Sequence, residues 1–295
     1  MYTNEYIKQI FAPEENTIVT ADIEPVVSID HNNRLAEGIK TLQRALGITQ
    51  MVAMNEGTQI KQYKVTKVNT PEQVAEGEVI PLTKITRKLV NTFNLVLKKY
   101  RKQTTAEAIQ ATTRTHAVSE TDAKLMGEVR KEIKSTFFAT INAGTGTATA
   151  GSNLQEALAN LWGALQVYFE DQDVTPVFFI HPLDAAAYLG SAAITTQTAF
   201  GISYVENFLG LGNAFITPAV TQGAPVATVT QNLNGAYIPA GGEVAQTFGL
   251  TFDATGLVGT THYLEQSTAS VDTLIMSGVI FYAEDANGIF KGSIA

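Results

Sequence analysis

The stretch from Ile60 to Lys102 limits the folds open to this chain more than any other, because it reads as a pair of strands with no core of its own. Its outbound limb alternates, with Ile60, Gln62, Lys64, Thr66 and Val68 on one face and Lys61, Tyr63, Val65 and Lys67 on the other. The return alternates through Phe93, Leu95 and Leu97. Neither face is apolar throughout, and a two-stranded ribbon in water is marginally stable at best. A long hairpin of this kind needs a surface to lie on. Its tip is expected between Asn69 and Gly77, where Pro71 and Gly77 supply turn chemistry.

Lys84, Arg87, Lys88, Lys98, Lys99, Arg101 and Lys102 crowd the return. Phosphate binding, with stacking on Phe93 and Tyr100, is one reading. A lysine-guarded strand docking on an acidic neighbour fits better, since the chain carries a net charge of -8 and no base-reading motif accompanies the run. The charge is also divided along the chain. Nineteen of the 20 basic residues lie at or before Lys134, against 16 of the 28 acidic ones, so the first part sums to +3 and the rest to -11. Such a division suits copies that attract head to tail, or two faces turned to different environments; a solvated acidic surface without a partner is the plain alternative.

Other classes are disfavoured by what the sequence lacks. It has no cysteine, hence no disulfide, thiolate metal site or cysteine nucleophile. No apolar run approaches a membrane span, and Met1–Ile10 lacks the pattern of a secretion signal, so a chain that stays in the cytosol is expected. His31, His116, His181 and His262 have no paired spacing for a metal, and His181 reads as a satisfied core or edge histidine. No G-x-S-x-G elbow is present, and Glu170, Asp171 and Asp173 read as a solvated turn. Gly144 and Gly146 fit neither a dinucleotide fingerprint nor a P-loop. An enzyme is the weaker class, and no cofactor, metal or membrane partner is expected.

The remaining elements follow from periodicity. Met1–Ile29 reads as an extended arm. Asp30–Asn33 offer caps for a short helix through Leu35, Ile39, Leu42 and Leu46, stopped by Gly47. Ser119 and Asp122 form a capping-box pattern before Leu125, Val129, Ile133 and Phe137, with Arg130, Lys131 and Lys134 placed to complement the helix dipole. The run from Asn142 to Ser152 reads as a flexible link. Asn153 and Glu156 cap a broad apolar helix that places Trp162 in the core. Val177–Ile180 reads as a buried strand, followed by a short helix over Asp184–Leu189. Ser191–Thr261 reads as a separate, loop-rich lobe with short strands and a hairpin turn at Asn234-Gly235. A second hairpin turn is expected at Asn287-Gly288, before a last short strand that returns to the central layer.

The segments AEGEVIPLTKITRKL, LVLKKYRKQTTAEAI, ETDAKLMGEVRKEI and VFFIHPLDAAAYLG, in this order, resemble the major capsid proteins of tailed bacteriophages with the Hong Kong 97-type fold. The resemblance implies an α+β chain with an N-terminal arm and short helix over 1–50 and an E-loop hairpin over 51–101. A spine helix from Ser119 to Ile141 and a peripheral domain follow within 102–189, then an axial domain over 190–267 and a return to the peripheral domain over 268–295. Its site would be the contacts between subunits made by the hairpin, through Lys61, Lys64, Lys67, Glu76, Glu78, Arg87, Lys88, Lys98, Lys99 and Arg101.

The resemblance further implies self-assembly into hexamers and pentamers of an icosahedral phage head, a component of the virion assembled in the host cytoplasm around double-stranded DNA. Its partners would be other copies of the chain, a separate scaffolding protein, a portal protein, and DNA through weak nonspecific contact. Crosslinks between hairpin and neighbour are not expected. An encapsulin-type compartment shell is the alternative of the same fold. A surface adhesin, suggested by the Thr- and Gly-rich later region, is the alternative of another class, and a hydrolase with a site in the glycine-rich lobe has no residues to nominate.

Overall fold

Residues 34–48, 51–67, 85–113, 115–170, 173–189, 196–199, 202–252 and 256–295, the part that the computed structural model describes, form three sheets and six α-helices. The first sheet runs β1 (Met51–Ala53), β11 (Leu233–Ile238), β14 (Ser270–Ala283), β13 (Val258–Glu265) and β12 (Thr251–Phe252), with β4 (Lys98–Thr105) also paired to β14. The second runs β5 (Gly146–Thr147), β15 (Phe290–Lys291), β10 (Val226–Val229), β6 (Pro176–Ile180), β9 (Gly212–Ile216), β8 (Ile202–Phe208) and β7 (Gln197–Ala199). Strands β2 (Gln59–Lys67) and β3 (Ile85–Asn94) form a sheet of their own. The helices are α1 (34–45), α2 (Ala106–Ala111), α3 (Thr121–Asn142), α4 (Leu154–Tyr168), α5 (Pro182–Leu189) and α6 (Glu243–Phe248).

The apolar run at β6 is continuous because both of its faces are covered. Val177 and Phe179 face a core shared with α1 and α3, while Phe178 and Ile180 face a second core under α4. In α1, Leu35, Ile39, Leu42 and Leu46 are buried as their spacing requires, and Gly47 ends the helix with φ +72°. The capping residues Asp30–Asn33 and the arm before them lie outside the described residues. Asn153 caps α4 as expected: its side chain accepts from the Glu156 N–H at 2.9 Å, and Glu156 accepts from the Ser152 N–H at 2.8 Å.

Where α3 crosses the sheets, aromatic rings join them. Phe137 meets Phe138 at 5.1 Å between centroids, and both Phe179 of β6 and Phe281 of β14 at 5.9 Å, all edge-on. Phe179 continues the contact by stacking on Phe215 of β9. Edge-to-face pairs add about 0.5–1.5 kcal/mol each beyond the area they bury, so this junction fastens the two sheets to one helix.

Several local expectations give way to long-range pairing. Ser119 does not cap α3: a π-helical turn, Thr115–Glu120, leads straight into the helix, and no side chain caps it. Helix α3 continues to Asn142, so Arg130, Lys131 and Lys134 stand in its middle turns and its last turn has no basic residue. The link after it is ordered, with β5 parallel to β15. Its glycines permit close approach: a Cβ on Gly151 would stand 2.3 Å from the Ala157 nitrogen. Asn234-Gly235 is no turn, because Gly235 pairs with both Met51 and Phe281 inside β11. Asn287-Gly288 lies in a 3-10 turn between β14 of one sheet and β15 of the other, so it joins no hairpin. Residues 197–229 make no separate lobe, since β8, β9 and β10 share a sheet with β6 across the expected boundary at 190. Trp162 is 39% exposed, because the buried stripe of α4 is the narrower set Leu154, Ala157, Leu158, Leu161 and Leu165.

Replacing Phe137 by Ala should cost about 3–5 kcal/mol, seen as a lower midpoint in urea unfolding of the isolated chain. Val167→Ala, at a position 74% exposed on α4, should stay within about 0.5 kcal/mol. Equal losses in the two variants would refute the junction's role.

Candidate functional site

The ribbon β2–β3 is packed at its foot, through Leu95 and Phe93. Its register runs from Gln59 opposite Asn94 to Lys67 opposite Ile85, with a shift after Gln62 that passes over Val90. A bulge of this kind adds local twist. At the foot, Leu95 is buried with Ala236 and Ile238 of β11, and Ile60 and Leu97 pack against them. Phe93 meets Tyr282 of β14 at 5.1 Å. Beyond the foot Lys61, Tyr63, Arg87, Lys88 and Leu89 are exposed, and the Arg87 guanidinium lies 4.0 Å from the centre of the Tyr63 ring.

The two strands carry five basic residues and no acidic one. Lys64 stands directly across from Lys88, with Arg87 next to it. Like charges on opposite positions destabilise a strand pair. The ribbon therefore gains stability from any surface that brings both apolar cover and negative charge.

Of the residues expected at the site, Lys61, Lys64, Lys67, Arg87 and Lys88 lie on this ribbon. Glu76, Glu78 and the expected tip fall outside the described residues. Lys98, Lys99 and Arg101 are not on the hairpin: the chain leaves the ribbon at Asn94, and these three belong to β4, which pairs with β14 over Lys98–Thr105. Alternation in the sequence continues across the break, which is why the two strands read as one limb.

The inner face of β4 meets α3. Lys98 pairs with Glu132 at 2.5 Å, and the Tyr100 hydroxyl donates to the same carboxylate. Lys102 pairs with Asp122 at 2.5 Å and donates to the Val118 carbonyl at 3.0 Å, while His262 of β13 reaches the other Asp122 oxygen at 2.8 Å. The register sets Lys102, Thr273 and His262 side by side on β4, β14 and β13. Asp122 thus ties the start of α3 to two strands at once. On the opposite face Arg101 closes over the buried Asp272 at 2.7 Å, and Gln103 donates to Ser270 at 2.8 Å. The acidic groups on which these β4 cations dock lie within the same chain.

The charges respond accordingly. Burial pushes the Asp122 carboxyl up, but His262 and Lys102 together hold it below its ordinary 3.8. Asp272 follows the same pattern under Arg101. Tyr100 is pushed well up by burial and by Glu132, and Tyr168 up to about 12 by burial and Asp285. Sequence reasoning took Asp122 for a cap and His262 for a lone histidine, and only strand register brings the two together. His181 has an edge role, its Nδ1 accepting from the Leu183 N–H at 3.3 Å where α5 begins. Among the described residues no three metal-binding side chains gather, and no helix is long and apolar enough to cross a membrane.

No family model matches the chain, and no curated protein matches its sequence. Solved structures do. The capsid of an empty GTA particle aligns with a TM-score of 0.54 at 12% identity, covering 86% of this chain and 89% of that one. The holo-SrpI encapsulin complex from Synechococcus elongatus aligns at 0.52 and 9%, covering 99% and 95%. The satellite phage P4 procapsid, which includes the size determination (Sid) protein, aligns at 0.50 and 11%, covering 98% and 95%. The chain has the α+β Hong Kong 97-type fold of these capsid and encapsulin structures, as the order of its elements implied.

Asp122→Asn should cost about 3 kcal/mol, because the change leaves Lys102 underground without its counter-charge; its side chain is 16% exposed. Since the Asp122 and Asp272 carboxyls lie lower in the folded chain than in the unfolded one, their contribution is complete above about pH 4 and drains as pH falls below it. Unfolding followed from pH 6 to pH 2, on the order of pH steps that span the carboxylate range, should show a shallower acid limb for Asp122→Asn than for the parent. Parallel limbs would exclude Asp122 as a source of that acid sensitivity.

Proposed function

We propose that this chain is the major capsid protein of a tailed bacteriophage, which self-assembles through hexamers and pentamers into an icosahedral head around double-stranded DNA. The observation that carries the reading is the ribbon β2–β3, a sheet of two strands projecting from a well-packed body of Hong Kong 97-type fold, with five cations and exposed Tyr63 and Leu89. Laid on the next subunit, it gains the burial it lacks, and its charge meets the acidic later part of that copy. The role is structural and involves no catalysis or cofactor. A scaffolding protein and a portal complete the assembly in the host cytoplasm, and contact with packaged DNA is weak and nonspecific.

An encapsulin-type compartment is the second reading, supported by the likeness to the SrpI complex over 99% of the chain. Electron microscopy of purified particles separates the two. DNA-filled heads with a portal at one vertex fit a phage, whereas uniform shells filled with a cargo protein would replace this reading with the second.

Reversing the ribbon charges with Arg87→Glu and Lys88→Glu, or deleting Asn69–Gly77, should leave subunit stability within about 0.5 kcal/mol and sharply reduce the yield of closed particles. Assembly of the parent should weaken as added salt screens the ribbon. Normal particle yield from both variants would rule out the ribbon as the assembly device.

A further inference from the structure

A groove of about 630 Å³ runs between the later turns of α3 and the ends of β8 and β9. Phe138, Ile202, Ile216 and Pro218 make its apolar lining, and Lys131 and Lys134 stand over them. Lys134 is partly buried and has no carboxylate partner among the described residues; burial and the neighbouring Arg130 lower its pKa. Among the described residues Lys131 reaches only Glu128, at 3.8 Å on an exposed surface. An occupant that suits this groove brings carboxylates flanked by apolar side chains.

We propose that the groove seats the N-terminal segment of the same subunit, through the run Asp22-Ile23-Glu24-Pro25-Val26-Val27. Residues 1–33 hold six acidic residues against one lysine, and this run interleaves two of the acids with apolar residues. Its chemistry mirrors the groove's: Asp22 and Glu24 for the two lysines, Ile23, Val26 and Val27 for the apolar floor. Helix α1 begins at residue 34, and Leu35 and Ile39 belong to the same buried core as Phe138 and Ile202, two of the groove's lining residues. Six residues, 28–33, separate the run from α1, so Asp22 can lie up to about 40 Å from the start of the helix when the chain is extended. The seat would give Lys134 and Lys131 carboxylate partners, and it stands whether or not the chain forms a shell.

Carbodiimide coupling tests the contact, because the reagent joins an amine to a carboxylate that touches it. In the full-length, unassembled subunit, Lys131 or Lys134 should couple to Asp22 or Glu24, and in a mixture of heavy- and light-isotope subunits each linked pair should carry one label. Lys134→Glu should speed cleavage of residues 1–33 by a glutamate-specific protease about fivefold, the loss of one partly exposed ion pair. Adding Asp22→Lys, which leaves every glutamate of the segment in place, should restore the parent rate, with an unchanged melting temperature excluding general unfolding. Absence of coupling together with equal cleavage rates would overturn the proposal. So would links of mixed label, which place the segment on a neighbour, or protection of Lys131 and Lys134 from acetylation by duplex DNA alone, which makes the groove a phosphate site.

Discussion

Everything in this subunit depends on one helix being fixed to two sheets. Helix α3 has 22 residues, a length of about 33 Å, and its two ends are held by different physics. Near the C-terminal end, Phe137 and Phe138 sit among Phe179 and Phe281, so burial of rings joins β6 to β14. Near the N-terminal end, Asp122 binds Lys102 and His262, so charge joins β4 to β13. The apolar end is tolerant of direction and resists separation. The ionic end is directional and fixes the angle at which the helix lies, since a carboxylate taken from water must keep both of its partners.

With the body closed in this way, the ribbon stands out as the part left unsupported. Its foot is buried through Leu95, and beyond Ile60 its described side chains face solvent. A fold that packs phenylalanines edge to edge in its centre does not lack means of covering a hairpin. That Lys64 and Lys88 stand opposite each other in register adds repulsion, which a covering surface of opposite charge would relieve.

The elements whose burial is dictated by neighbours in sequence were legible. The spacing of Leu35, Ile39 and Leu42, the unbroken apolar run at Val177–Ile180 and the Asn153 cap each carry their own signal, and each forms as read. Elements defined by distant partners were not. Strand β4 looks like the end of a hairpin limb because alternation has no marker for a change of partner, yet Leu95 turns inward and hands the chain from β2 to β14. Gly235 looks like a turn residue because it follows Asn234, whereas its value lies in the room it leaves for Met51 and Phe281 on either side. Trp162 illustrates the same limit on a helix: hydrophobicity reports what a residue tolerates, and only the sheet beneath α4 decides which stripe is used. Of the ten expected site residues, the five on the ribbon followed from local alternation, while the partner of Lys98 lies 34 positions away on α3 and that of Arg101 lies 171 positions away on β14.

The division of charge along the sequence also takes a sharper form in three dimensions. The basic excess before Lys134 is not spread over the first half of the chain, because Lys98, Arg101 and Lys102 are consumed by Glu132, Asp272 and Asp122 inside the subunit. Two of the larger remainders are the ribbon and the middle of α3. These are separate surfaces with separate needs: the ribbon carries its charge on a structure that also lacks burial, while α3 carries its charge over a groove already formed. An isolated cation on a finished surface costs little in water, but a cation on an unfinished one adds repulsion to exposure. The ribbon therefore gains more than α3 does from an added surface, and the pattern of charge within the chain, more than its net value, sets that difference.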